Sequence, residues 1–385
     1  MKSNWEKVRL DELITIKHGF AFKGQYFVNY PTSDVLVTPG NFFIGGGFDI
    51  SKRKYYSGPI DCEYVLKSDD LIVTMTDLSK NGDTLGYSAR VPKGDNVRYL
   101  HNQRIGLINL VRSSVSKDFL YWLLRSRHYH TFIVNSSTGT TVKHTSPSRI
   151  GEYQFLLPSF PEQEKIANFL SSFEEKIEIN KKIIDTLDEC CTAYFNKKFS
   201  DLPKTKELKS FCSIVMGQSP KGSSLNTDRD GSVFYQGCTD FGKYFPTRRL
   251  YTTNPKKLAN KGDILVSVRA PVGRINIANE NCCIGRGLAS IKSLYPSFCL
   301  FALYASSEEF AKYEAEGTVF GSINKKGLEG INIFNADEKA ISEFEQFSYP
   351  YVKMISDLDM ENRILANIRN ELLPKLLSGE IELKN

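Results

Sequence analysis

The run Asp69-Asp70-Leu71-Ile72-Val73-Thr74-Met75-Thr76 has a counterpart at Gly262-Asp263-Ile264-Leu265-Val266-Ser267-Val268-Arg269. Two further landmarks recur in the same order. Arg104-Ile105-Gly106-Leu107 answers to Arg286-Gly287-Leu288, and Ser137-Thr138-Gly139-Thr140-Thr141-Val142 to Ala315-Glu316-Gly317-Thr318-Val319. A period of roughly 180 residues is too long for a solenoid and points to two copies of one module with its connector. Working outward, a globular stretch at 1–160 is followed by a helical one at 161–200. The pair recurs as 201–335 and 336–385. A chain built this way does one thing at two places.

The 385 residues suffice for two or three domains with their own cores. No run of eighteen or so apolar residues predicts a membrane span, and the N-terminal Met1-Lys2-Ser3-Asn4-Trp5-Glu6 lacks the apolar core of a secretory signal. The eight cysteines include the adjacent pairs Cys190-Cys191 and Cys282-Cys283 but no C-x-x-C, so a cytoplasmic protein with reduced thiols is expected. The net charge of +6 is unevenly spread. Lys and Arg outnumber Asp and Glu by 20 to 14 in residues 1–160 and by 18 to 12 in 201–335, whereas the helical stretches carry 6 against 8 (161–199) and 6 against 10 (336–385). A polyanion is attracted to the globular parts, and the helices suit protein partners.

In the first helical stretch, apolar residues fall at alternating steps of four and three: Ile166, Leu170, Phe173, Ile177, Asn180, Ile184, Leu187, Cys191 and Tyr194. This is a heptad seam with one polar member. Pro161 with Glu162, Gln163 and Glu164 suits a helix start. The second stretch repeats the pattern at Ile341, Phe344, Tyr351, Ile355, Leu358, Asn362, Leu365, Leu372 and Leu376. Pro350 and Pro374 predict kinks or breaks within it, and Gly379 a stop. The two helices either pair with each other or pack on their own globular parts. Asn180 and Asn362 either set the register of such a pair or lie exposed on a differently phased helix.

The globular parts mix short apolar runs (71–76, 105–111, 264–268, 289–291) with one helix each, at Lys117–Val134 and Ser297–Glu316. Glycines and turns punctuate the rest. The fold class is α/β (α+β), two small domains joined by long helices.

These landmarks resemble a known family. Gly262-Asp263-Ile264-Leu265-Val266-Ser267-Val268-Arg269-Ala270-Pro271-Val272-Gly273 with Ile284-Gly285-Arg286-Gly287-Leu288 looks like the second target-recognition domain of a type I restriction-modification specificity subunit. So do Leu156-Leu157-Pro158 through Pro161-Glu162-Gln163-Glu164-Lys165-Ile166-Ala167, and the closing Leu372-Leu373-Pro374-Lys375-Leu376-Leu377-Ser378-Gly379-Glu380-Ile381. The resemblance covers the whole chain in the family's order. It implies two target-recognition domains in a pseudo-twofold internal repeat, separated by two helices pairing as an antiparallel coiled coil. Each domain then reads one half of a bipartite, asymmetric double-stranded DNA target, and the helices set the spacer. It further implies two methyltransferase subunits docked on the assembly, with S-adenosylmethionine on them, and restriction subunits able to join. The chain itself needs no cofactor and performs no chemistry. Because Thr76-Asp77-Leu78-Ser79-Lys80-Asn81-Gly82 stands where the second copy has Arg269-Ala270-Pro271-Val272-Gly273, the half-sites should differ. Ala336-Asp337-Glu338-Lys339 replaces the proline-rich helix entry of the first copy.

The residues agree on what is missing. A self-contained methyltransferase needs an Asn/Asp-Pro-Pro-Tyr/Phe loop, yet Asn254-Pro255 continues as Lys256-Lys257. Gly217-Gln218-Ser219-Pro220-Lys221-Gly222-Ser223-Ser224 nearly matches a phosphate loop but lacks its lysine, and reads as a turn. His18, His101, His128, His130 and His144 show no metal-ligand spacing. The rival readings are a methyltransferase or nuclease with unrecognised motifs, and a coiled-coil scaffold whose basic domains hold another acidic partner.

DNA affinity comes from cations on phosphates and specificity from side chains on base edges. The candidates in the first copy are Lys17, His18, Lys23, Lys52, Arg53, Lys54, Lys80, Asn81, Lys143 and His144. In the second they are Gln218, Lys221, Arg248, Arg249, Arg269, Arg274, Arg286, Asn324, Lys325 and Lys326. Lys52-Arg53-Lys54-Tyr55-Tyr56 is the densest basic cluster. Arg269, beside Pro271 and Gly273, has a structural role as its alternative.

Overall fold

A computed structural model describes residues 5–94, 96–314 and 321–383. The second-copy landmark at 315–319 and the last residues of the Ser297–Glu316 helix lie outside the described residues. The chain divides into two compact units, Met1–Lys176 with Leu365–Asn385, and Ile177–Ile364. Each unit thus takes a stretch of both long helices.

The repeat is realised strand for strand. In the first unit one antiparallel sheet runs Ile14–His18, Ile105–Leu110, Leu71–Thr74, Ser88–Arg90; in the second the order is Cys212–Met216, Leu288–Ser293, Ile264–Ser267, Ile275–Ile277. A five-stranded sheet runs Phe27–Val28, Lys54–Tyr56, Asp34–Val37, Arg98–His101, Val65–Leu66, matched by Leu225–Asn226, Leu250–Thr252, Ser232–Tyr235, Cys282–Ile284, Leu258–Ala259. Each five-stranded sheet contains one parallel pair, Asp34–Val37 with Arg98–His101 and Ser232–Tyr235 with Cys282–Ile284. The opening run decides the fold because its strands, Leu71–Thr74 and Ile264–Ser267, are buried at every residue and central in their sheets.

The strand register corrects one landmark by a residue. Ile105 pairs with Thr74 and Leu288 with Ser267, so Arg104 corresponds to Gly287, not to Arg286. The Arg104 and Gly287 carbonyls accept equivalent bonds from the Met75 and Val268 amides. Gly19 and Gly217 are also equivalent. A Cβ on either would come within 2.5 Å of a backbone oxygen of the neighbouring strand, so only glycine permits the approach.

Each predicted helix of the globular parts is two. Lys117–Leu123 and Arg127–Asn135 are separated by the buried Ser126, whose hydroxyl accepts from the Tyr129 amide and caps the second helix. Pro296–Ala305 and Ser307–Ala311 break at the buried Ser306.

The long helices span Phe160–Phe199 and Glu338–Leu377, 40 residues each. The first starts at Ser159, whose amide and hydroxyl both donate to Glu162 (3.2 and 2.9 Å). The second starts at Asp337, whose carboxylate accepts from the Ala340 amide at 2.7 Å, so an aspartate cap replaces the proline-rich entry. It does not break at Pro350 or Pro374. Each proline removes one ladder hydrogen bond, and the apolar residues around it, Phe344 and Ile355 in one unit and Leu373 and Leu376 in the other, are buried in the cores. Gly379 ends it at φ +70°, with the Glu380 amide bonded to the Lys375 carbonyl and Gly379 to Leu376.

Within each unit the helices run antiparallel. In the second unit Asn180 meets Asn362 and Lys198 meets Glu343; in the first Glu174 meets Arg369. No first-helix seam residue is exposed: Ile166, Leu170, Ile177, Asn180, Ile184 and Cys191 are buried, and Phe173, Leu187 and Tyr194 half-buried. On the second helix Ile341, Phe344, Ile355 and Leu376 are buried and Tyr351, Leu358, Asn362, Leu365 and Leu372 half-buried. The helices also pack on their globular parts. Ile166 and Leu170 join Phe119 and Trp122 in the first core, and Phe195 and Phe199 join Phe298 and Phe301 in the second. The two arrangements weighed from sequence coexist. No helix of the described residues is long and apolar enough to cross a membrane.

Candidate nucleic-acid interface

The strongest basic clusters occupy the same place in the two copies. Lys52 and Arg53 immediately precede and Lys54 opens the strand Lys54–Tyr56; Arg248 and Arg249 immediately precede its counterpart Leu250–Thr252. All five are exposed or nearly so. The turn before each strand is fixed from the same point of a short 3-10 helix, Pro39–Asn41 or Cys238–Asp240. The Asn41 carbonyl accepts from the Asp49 amide, and the Asp240 carbonyl from the Thr247 amide, both at 2.7 Å.

Beyond that shared frame the copies differ. The buried Asn41 amide donates to the Asp49 and Lys52 carbonyls (3.1 and 2.5 Å), so it holds backbone and leaves the cationic side chains alone. Lys54 lies 4.0 Å from the Phe27 ring centroid, and Arg53 Nε reaches only the Ile50 carbonyl. In the second copy a carboxylate stands where Asn41 is. Asp240 accepts from Arg249 Nε at 2.6 Å and Nη2 at 3.1 Å, a two-point fork, while Glu280 accepts from Arg248 Nε at 2.5 Å. Asp240 is 6% exposed against 53% for the Arg249 side chain. The hydrogen-bonded carboxylates raise both guanidinium pKa values.

The remaining candidates divide by partner. Lys17 pairs with Glu63 at 2.7 Å beside Tyr64, and Lys325 with Glu329 at 3.6 Å. The Asn324 side chain caps the Lys325–Glu329 helix through the Gly327 amide at 2.8 Å, which is a structural duty. His144 meets the Thr76 hydroxyl at 3.2 Å, and Lys143 pairs in register with Asp77 on the same short ladder. Arg269 bridges Ser322 through backbone, and its side chain is exposed with no side-chain hydrogen bond among the described residues. His18, Lys23, Lys80, Asn81, Gln218, Lys221, Arg274, Arg286 and Lys326 are exposed. Lys23 and Lys221 precede equivalent 3-10 turns, at Gly24–Tyr26 and Gly222–Ser224.

Asn41, Asp240 and Glu280 were not among the sequence candidates, because each acts on a partner distant along the chain. The repeat carried the signal for the first two, since Asn41 and Asp240 hold the same place in their copies. Among the described residues no group of three His, Cys, Asp or Glu is arranged to hold a metal.

Comparison with known proteins agrees with this architecture. Residues 2–189 and 202–334 match the family model of the type I restriction modification DNA specificity domain. The chain is 30% identical over 316 residues to the type I restriction enzyme MjaX specificity subunit of Methanocaldococcus jannaschii, covering 74% of this chain and 73% of the relative. It is 24% identical over 331 residues to the EcoBI specificity subunit of Escherichia coli, covering 76% and 66%. The crystal structure of the type I S subunit from M. genitalium matches in fold, with a TM-score of 0.63 at 17% identity over 100% of this chain and 98% of that one. This chain therefore belongs to the family of type I restriction-modification DNA specificity proteins, the recognition components rather than the catalytic ones.

Proposed function

We propose that the chain is the sequence-reading subunit of a cytoplasmic type I complex, in which 1–160 and 201–335 act as two target-recognition domains. Each domain reads one half of a split, asymmetric double-stranded DNA sequence. The long helices at 161–200 and 336–385 set the number of unread base pairs and dock two methyltransferase subunits, which hold S-adenosylmethionine and do the chemistry; restriction subunits can join them. The observation that supports this reading best is a basic turn repeated at one place in one topology, on units linked by acidic helices. The exposed cations of both units supply phosphate contacts, and the sequence difference between Thr76–Gly82 and Arg269–Gly273 makes the half-sites unlike.

Methylome sequencing tests it, comparing a host expressing this chain and its methyltransferase partner with a host lacking only this chain. A split motif that depends on the chain is expected. A stable complex without any chain-dependent motif would sink the reading. Changing the helix at 161–199 by whole heptads should change the spacer of that motif and leave its two halves intact. An unaltered spacer would remove the ruler role.

A further inference from the structure

A guanidinium reads guanine through two parallel N–H bonds to O6 and N7, a geometry that lysine cannot reproduce. It does so most selectively when its plane is held before the base arrives, since ordering a free side chain costs affinity. Among the described residues, Arg249 is the exposed arginine of the candidate interface that meets this condition. Its Nε and Nη2 are both engaged by Asp240, and the carboxylate is itself buried at the end of a 3-10 helix whose carbonyl ties down the turn. Two of the five guanidinium hydrogens are used. The remaining three, two on Nη1 and one on Nη2, have no partner among the described residues, and Nη1 with Nη2 forms a second donor edge on a side chain that is 53% exposed. Arg248 is held at a single nitrogen, and no carboxylate orients Arg269, Arg274 or Arg286 among the described residues. At the equivalent place in the first unit Arg53 reaches only a carbonyl at 3.4 Å, because Asn41 holds backbone instead.

We propose that Arg249 is a base-reading residue that recognises a guanine in the half-site of the second unit, with Asp240 as its positioning residue. This rests on the reading of the chain as the sequence-specificity subunit. Lys52, Arg53 and Lys54 then contact phosphate, where a mobile cation suffices.

The test uses the complex of the full chain with its methyltransferase partner, once the methylated motif is known. Binding is measured to duplexes carrying the motif and to duplexes in which each guanine of the second half-site is replaced in turn. For wild type, one replacement should weaken binding roughly tenfold to a hundredfold. Arg249→Lys keeps the charge and should erase that one preference while the other positions stay discriminated. Asp240→Asn should weaken the same preference, without the uniform loss across positions that a damaged fold would give. A preference pattern unchanged in Arg249→Lys would overturn this assignment alone. So would a second half-site without guanine, or an Asp240→Asn variant whose melting temperature falls while its pattern stays. A wild-type complex without any sequence preference would overturn the functional reading and this assignment together.

Discussion

The two units share a topology and place their compensated charges oppositely. In the first, the basic turn at 52–54 has no carboxylate partner among the described residues, while a charge network lies inside. Arg125, 4% exposed, donates through Nη1 to both Glu174 oxygens (2.7 and 3.0 Å) and through Nε to the Gly45 carbonyl; the Tyr121 hydroxyl donates to Glu174 at 2.7 Å, and Arg369 approaches it at 3.3 Å. Arg125 also stacks 4.5 Å from the Trp122 ring. In the second unit the basic turn is paired, and the positions matching the network carry no charge. Counted from the caps of the long helices, Val352 stands where Glu174 does and Cys191 where Arg369 does; both pack in the second core. A fold specified by one strand order therefore leaves both its interior polarity and its surface charge open to change, and each copy has used that freedom differently.

The largest expected effect breaks this contrast from the inside. Glu174→Ala leaves the buried Arg125 and the half-buried Arg369 as like charges without their shared carboxylate, and should destabilise the first unit by about 3–5 kcal/mol. Val352→Ala, at the equivalent place, should cost only about 1 kcal/mol. Both tryptophans, Trp5 and Trp122, belong to the first unit, so denaturation followed by tryptophan fluorescence should see the first variant and not the second. Equal shifts of that signal would show that the network adds no more than apolar packing. Acid should act at the same place. Burial works against the charged Glu174, but Arg125, Tyr121 and Arg369 outweigh it and hold the carboxyl below its ordinary value of 4.5. A carboxyl depressed by folding contributes stability above its unfolded pKa and loses it as pH falls through the folded one. The tryptophan-reported transition of wild type should therefore weaken as pH falls below about 4.5, and that of Glu174→Gln should weaken less.

A second, smaller effect sharpens the contrast at the surface. Each phosphate contact contributes about 0.9 to the slope of log affinity against log salt. Replacing Lys52, Arg53 and Lys54 by alanine should remove close to that amount per residue from the binding of the assembled complex. Arg248→Ala with Arg249→Ala should weaken binding too, but flatten the slope less per residue, since arginines already committed to Glu280 and Asp240 displace fewer counterions. An equal loss of slope per residue at the two sites would mean that both turns serve phosphates alike.

How much of this is legible before folding follows from range. The strands of the repeat and the seam from Ile166 to Tyr194 depend on local apolar spacing, and the spacing places them. Ser126 splits its helix because a buried serine can cap the helix that follows, which apolar periodicity alone does not register; the break at Ser306 has no such side-chain bond. The slip of Arg104 by one residue arose from matching letters, whereas hydrogen-bond register is set by Thr74 and Ser267 across the sheet. Pro350 and Pro374 are read as kinks or breaks when the helix is considered alone; packing on both sides keeps it unbroken. The Arg125–Glu174–Arg369 cluster joins residues 49 and 195 apart in sequence, and the Asp240–Arg249 fork spans a turn with no periodic spacing to mark it, so the chemistry of both shows only when the chain is folded.

The smallest effect concerns seam positions where the repeated helices carry a polar residue in one copy and an apolar one in the other. Asn180 is fully buried and donates through Nδ2 to Asn362 Oδ1 at 2.9 Å and to Glu361 at 2.8 Å, while its own Oδ1 has no partner among the described residues. Counted from the helix caps, the equivalent positions are the apolar Leu358 and Ile184, so a polar pair is not what the packing itself demands. A buried amide pair in a seam costs stability and selects one register. Replacing Asn180 and Asn362 together by leucine should raise the stability of the second unit by on the order of 1 kcal/mol. It should also loosen the register. Lys198 and Glu343, in contact at 2.5 Å on the same pair of helices, can be joined by a zero-length carbodiimide link, and the yield of that link should fall in the leucine variant as alternative pairings appear. A variant that loses stability would show the amide pair to be net stabilising, and one that gains stability with an unchanged link would show that the surrounding core, not the asparagines, fixes the register.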